Sequence, residues 1–117
     1  MFQSLLQRFR NWYVMNQTER AVIPEFKPDR LCRYRVRFSG RVQNVGFRME
    51  AAQIARRLDL TGYCENLPDG DVLAEFQGPE NKIIFLIAFM ESIKRIVIEN
   101  KIIQEMPFVP NETAFRY

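Results

Sequence analysis

Histidine is absent from this 117-residue chain. Without imidazole there is no histidine nucleophile, no histidine general base and none of the usual zinc-hydrolase ligand sets. Cysteine is scarce: Cys32 and Cys64 are the only two, in segments that read as neighbouring strands. Reduced, buried thiols in a cytosolic protein are the expected state, rather than a disulfide. Neither thiol is placed for cysteine-phosphatase chemistry, which needs a thiolate at the mouth of a phosphate loop. Cys32 precedes the first glycine-bearing loop by a whole strand, and Cys64 is followed by no loop ending in arginine. No glycine-lysine-serine/threonine run follows a strand, which excludes a nucleotide P-loop. Clustered carboxylates for two-metal hydrolysis are missing too, because Asp69 and Asp71 flank Gly70 and read as turn residues. No apolar run is long enough to span a bilayer or form a signal-peptide core, so neither secretion nor a membrane anchor is expected.

A large excess of one charge is also lacking. The net charge of +3 divides into five basic against three acidic residues over 1–30, and twelve against eleven over 31–117. A nearly neutral main region argues against a surface that coats nucleic acid and permits a small, local anion site. What is present is apolar material: 47% of the 117 residues are hydrophobic, enough for a single domain that folds without metal, disulfide or cofactor.

Residues 2–15 carry Phe2, Leu5, Leu6, Phe9, Trp12 and Tyr13 at spacings of three and four, with Arg8 and Arg10 between them. That is the pattern of an amphipathic helix. Docking onto its own domain or onto a second subunit is the simplest use of such a stripe, and interfacial membrane binding is an alternative. A disordered start, or initiation at Met15, is a third reading. Residues 16–30, with Pro24 and Pro28, read as a linker.

From Cys32 the pattern alternates. Cys32, Tyr34, Val36 and Phe38 share one face and Arg33, Arg35 and Arg37 the other, as in a half-buried strand. RNA-reading sheets set aromatic platforms beside their charges, whereas the neighbouring strand offers Leu73, Glu75 and Gln77 on this face. Cross-strand pairing with acids is therefore expected in place of nucleic-acid binding. Residues 47–58 read as a helix burying Ala51, Ile54, Ala55 and Leu58. Strands over 61–67 and 71–77 are joined by Pro68-Asp69-Gly70, a hairpin turn. Pro79 opens a second helix whose broad apolar face runs from Ile83 to Ile93. Ile96, Ile98 and Ile102 mark a fourth strand, and residues 114–117 a short fifth. The order strand, helix, strand, strand, helix, strand predicts an α+β, ferredoxin-like split β-α-β sandwich: a mostly antiparallel sheet with two helices on one face. The expected division is an N-terminal extension over 1–30, containing the amphipathic helix, and a domain over 31–117.

The connection after the first strand is the candidate site. Gly40, Arg41, Val42, Gln43, Asn44, Val45, Gly46 and Phe47 lead into Arg48 at a helix start. Backbone N–H groups of such a loop converge on one tetrahedral oxyanion. Arginine adds a planar, permanently charged fork, and the helix N-terminus adds the positive end of its dipole. An arginine in the first helical turn opposes that dipole unless an anion is present.

A second segment, Gly62-Tyr63-Cys64-Glu65-Asn66-Leu67-Pro68-Asp69-Gly70-Asp71-Val72 followed by Gly78, strengthens the reading. Together with residues 38–48 it resembles the two signatures of the acylphosphatases, and the resemblance covers residues 32–117, including the aromatic, basic end Phe115-Arg116-Tyr117. The resemblance implies metal-free hydrolysis of a small acyl phosphate to a carboxylate and inorganic phosphate. It also implies that Arg48 binds the phosphoryl oxygens and that Asn66 orients the attacking water. An amide suits that task, because it both accepts from and donates to water and carries no charge to repel phosphate. The chain departs from the family at Asn44, where glycine is usual, and at Glu65, where basic or neutral residues are commoner. Asparagine is the least costly non-glycine residue if a positive φ is required there, at about 1 kcal/mol. The alternative is a non-catalytic acylphosphatase-like binding or assembly module whose loop Asn44 has weakened.

Overall fold

The computed structural model describes residues 22–117. The helix expected over 2–15 lies outside them. The elements are β1 (Leu31–Arg41), α1 (Phe47–Arg57), β2 (Thr61–Asn66), β3 (Val72–Pro79), α2 (Glu80–Ser92), β4 (Val97–Met106) and β5 (Phe115–Arg116). They follow the expected order and, within one or two residues at most ends, the expected bounds. Five strands form one sheet in the order β4-β1-β3-β2-β5. The pairs β1–β3, β1–β4 and β2–β3 are antiparallel, and the short β2–β5 pair is parallel. This is the ferredoxin-like arrangement.

The alternation in β1 decides which face is covered. Val36 and Phe38 are fully buried with Val72, Ala74 and Phe76 of β3, beneath Ala51, Ile54, Ala55, Ile83, Leu86 and Met90 of the two helices. Burial of this many Leu, Ile and Phe side chains, at about 1.5 to 3 kcal/mol each, is the main force holding the layers together.

The other face of the sheet is polar but not open. Arg33 is only 3% exposed; its Nε donates to Glu75 Oε1 at 2.6 Å and its Nη1 to Glu112 Oε1 at 2.8 Å and Gln77 Oε1 at 3.1 Å. Arg35 pairs with the other oxygen of Glu75, and Arg37 with Asp71 and Asp69. Residues 107–114 close over this network, with Gln77 donating to the Val109 carbonyl and accepting from its N–H. The three arginines of the outer face are thus neutralised across the strands, as the acidic partners in β3 led one to expect, and they form no free basic surface.

Residues 22–30 have no regular secondary structure, yet they are bound to the domain. Arg30 pairs with Glu80 and Glu105, Asp29 accepts from the Asn81 N–H, and Asn81 Nδ2 donates to the Lys27 carbonyl. The Phe26 ring meets Phe85 of α2 edge to face, with centroids 5.5 Å apart. This stretch of the expected linker is a strap along α2.

Candidate active site

The irregular part of the β1–α1 connection is narrower than the glycine spacing suggests. Gly40 and Arg41 belong to β1 and pair with Ile98 and Val97, just past a bulge at Ser39/Gly40. Gly40 has φ 123°, and a Cβ there would lie 2.3 Å from the Val97 carbonyl oxygen, so the close approach of β4 accounts for this glycine. The loop proper is Val42 to Gly46, and Phe47 is the first residue of α1.

Both ends of the loop are anchored in the core. Val42 is buried, and Phe47 packs on Phe38 with ring centroids 4.9 Å apart. Between them the backbone turns twice through the left-handed region, at Asn44 (φ 61°) and at Gly46 (φ 80°, ψ 17°). Asn44 therefore occupies the conformation that a glycine would take most easily, and it is one of the few residue types that tolerate it. Gly46 is the N-cap of α1, and no side chain caps the helix. The first N–H groups of α1 thus have no side-chain acceptor and point out beside the loop.

Arg48 stands in the first turn of α1 and is exposed. Among the described residues it makes no ion pair or hydrogen bond, in contrast with Arg30, Arg33, Arg35, Arg37 and Arg95, each of which is paired with acid. Its charge is felt at Cys64 on β2. Asn66 closes β2 on the same side as Cys64, two residues on, and is exposed opposite Val72. Alternation sends the Glu65 side chain to the other face.

The two segments are joined by a side chain whose role the sequence does not announce. Gln43 Nε2 donates to the Leu67 and Asp71 carbonyls, both at 2.8 Å, and so ties the loop to the hairpin immediately after Asn66. The turn itself is closed by Leu67 N–H donating to the Asp71 carbonyl and Asp71 N–H donating to Asp69 Oδ1. Asp69 and Asp71 are thus turn residues, as expected, and in addition pair with Arg37. From the opposite side, Arg95 Nε donates to the Val45 carbonyl at 2.7 Å while its Nη2 holds Glu50 at 2.7 Å. Arg95 lies 50 residues from Val45 in sequence, and no local pattern signals it.

Burial pushes the Cys64 thiol up to about 12, although Arg48 works in the opposite direction, and burial also raises Cys32. Neither is a thiolate nucleophile near neutral pH, and both thiols are free. No group of three or more potential metal ligands occurs among the described residues. A groove of about 470 Å³ opens along the outer edge of β2, lined by Tyr63, Cys64, Glu65, Arg116 and Tyr117. No residue of the loop lines it.

Known proteins share this fold. Crystal structures of acylphosphatases from Bacillus subtilis (TM-score 0.68, 27% identity, 74% of this chain and 97% of that one) and Coxiella burnetii (TM-score 0.66, 30% identity, 74% and 90%) superpose on it. The acylphosphatase of Clostridium acetobutylicum is 34% identical over 85 residues, covering 72% of this chain and 93% of its own. That of Clostridium perfringens is 60% identical over 45 residues, so the chain spans about half (51%) of the length of that curated relative. The family model described as acylphosphatase matches residues 34–116, which include β1 from Tyr34 onwards, the loop, Arg48, Asn66 and the rest of the sheet, and the chain belongs to the acylphosphatase family.

Proposed function

We propose that the protein hydrolyses small acyl phosphates to a carboxylate and inorganic phosphate, with the phosphoryl group seated in the loop between Val42 and Phe47. The observation that carries this reading is an exposed, acid-free Arg48 at an uncapped helix start, behind a loop bent through two left-handed residues and tied by Gln43 to the strand end bearing Asn66. Each charge-assisted N–H contact to a phosphoryl oxygen contributes about 1.5 to 3 kcal/mol before ordering costs, so several hold a dianion without a metal. Arg48 completes the clamp and stabilises charge on the phosphoryl oxygens during transfer. Asn66 accepts a hydrogen bond from the attacking water through its amide oxygen and donates one through its nitrogen, setting the water in line.

A strong protein base is not required, because the leaving group is a carboxylate and a phosphate oxygen of the substrate takes the water's proton. The chain has no histidine to serve, and the thiols are held protonated by burial. Asn44 fits the reading, since it adopts the required backbone geometry with φ 61°. The test is hydrolysis of benzoyl phosphate by the purified protein in the presence of a chelator, with Arg48→Ala and Asn66→Ala alongside. Metal-free turnover is expected, reduced by at least about 100-fold in each variant. No turnover by the folded wild-type protein would overturn the proposal in favour of a non-catalytic binding module.

A further inference from the structure

We infer that the groove along the outer edge of β2 receives the acyl group of the substrate, and that Tyr63 and Tyr117 select acyl groups carrying an uncharged aromatic ring. The inference rests on the phosphoryl group being seated in the loop between Val42 and Phe47. Its ground is the way the sheet ends. β5 is two residues long and pairs only with Gly62 and Tyr63. The last residues of β2, Cys64 to Asn66, therefore have no strand beside them on the outer side among the described residues. In an antiparallel pair the N–H and C=O of one residue point to the same edge, and successive residues alternate. Gly62 N–H donates outward to the Ala114 carbonyl at 3.1 Å, so the backbone groups of Asn66, four residues on, face the open edge as well. The floor of the groove is this uncovered strip, and it leads to Asn66.

The walls are aromatic. Tyr63 stands on the polar face of the sheet, its hydroxyl donating to Glu75 Oε2 at 3.1 Å and its ring stacked with the Arg116 guanidinium at 5.8 Å. Tyr117 is braced from the helix layer by Arg56 of α1, 5.5 Å from its ring centroid, and remains 55% exposed. The two charged residues of the lining, Glu65 and Arg116, are of opposite sign, so the groove holds no net charge that would recruit an acidic or basic acyl chain. What it offers is ring surface, and a flat apolar group gains most from that. The positions also fit. The charge of Arg48 reaches Cys64, and two residues of strand, about 7 Å, separate Cys64 from Asn66. An acyl group that bears a ring spans this distance from a phosphoryl group beside Asn66, whereas acetyl stops short of Tyr117.

The test compares benzoyl phosphate with acetyl phosphate as substrates of the wild type, Tyr117→Ala and Tyr117→Phe. Ratios of variant to wild type for each substrate cancel the difference in leaving-group reactivity. Tyr117→Ala is expected to raise KM for benzoyl phosphate about tenfold with kcat little changed, the mark of lost binding that is equal in ground and transition states. KM for acetyl phosphate should stay within about twofold of wild type, and Tyr117→Phe, which keeps the ring, should restore benzoyl phosphate binding. Parallel changes for both substrates would overturn the inference by making Tyr117 a structural support of the site. Acetyl phosphate turnover with an unaltered KM for benzoyl phosphate in Tyr117→Ala would reject the groove and leave the hydrolase reading standing. Turnover of neither substrate by the folded wild type would reject that reading, and the inference with it.

Discussion

At the scale of single residues, Asn44, Arg48 and Glu75 show three different physical constraints. Asn44 is held at φ 61°, where an unbranched polar side chain is tolerated and a β-branched one is not. Asn44→Val is expected to cost about 1 to 2 kcal/mol in urea unfolding and to weaken inhibition by inorganic phosphate, while Asn44→Gly should stay within about 1 kcal/mol of wild type. Glu75 is constrained by charge. Burial favours its protonated form, but the hydrogen bonds from Arg33, Arg35 and Tyr63 outweigh this and hold its carboxyl below the usual glutamate range. Glu112, beside Arg33 and Thr61, is lowered in the same way. A carboxylate with a depressed folded-state pKa stabilises the fold above its unfolded value. That contribution is lost as pH falls through the folded one. Stability should therefore decline from about pH 4.5 downwards, and Glu75→Gln should flatten this limb in a series of thermal melts. At neutral pH the same substitution leaves buried Arg33 short of a charge partner and is expected to cost about 3 kcal/mol.

At the scale of elements, the site is assembled by side chains that bridge β1–α1 to its surroundings. Gln43 clamps the loop to the β2–β3 hairpin through two carbonyls, and Arg95, in the connection between α2 and β4, clamps the Val45 carbonyl. Removing the Gln43 side chain leaves the loop backbone proposed to hold phosphate, and Arg48, in place but removes the loop's tie to the hairpin that follows Asn66. Gln43→Ala is thus expected to lower kcat about tenfold with little change in the inhibition constant of inorganic phosphate, a split that steady-state kinetics with phosphate as inhibitor resolves. Arg95→Ala should instead raise that inhibition constant, because the Val45 end of the loop loses its brace.

At the scale of the whole molecule, ligand binding and folding are linked. An anion that binds the native loop and not the unfolded chain stabilises by RT ln(1 + [L]/Kd), about 2.7 kcal/mol at a hundredfold excess over Kd. For a domain of this size that corresponds to a rise in melting temperature of roughly 10 °C. Differential scanning calorimetry with inorganic phosphate in excess should show it in the wild type, and Arg48→Ala should abolish it. The whole fold also limits where binding occurs. Arg33, Arg35 and Arg37 spend their charge on Glu75, Glu112, Asp69 and Asp71, whereas Arg48 at the helix start has no acidic partner among the described residues.

Period-two alternation from Cys32 to Phe38, the Pro68-Asp69-Gly70 turn and the apolar runs of the two helices are local signals. They determined the order of elements, the buried face of β1 and hence the ferredoxin-like fold, because the period of burial is written in each segment separately. The loop, Arg48 and Asn66 were legible for the same reason, as two short motifs. Which residues bind those motifs to one another was not legible. That Gly40 serves the approach of β4, that Gln43 reaches Leu67, that Arg95 reaches Val45 and that residues 107–114 seal Arg33 all depend on partners 24 or more residues away. Such contacts carry no period and no local composition. They exist only once the sheet order β4-β1-β3-β2-β5 sets strands side by side, and so tertiary structure alone decided them.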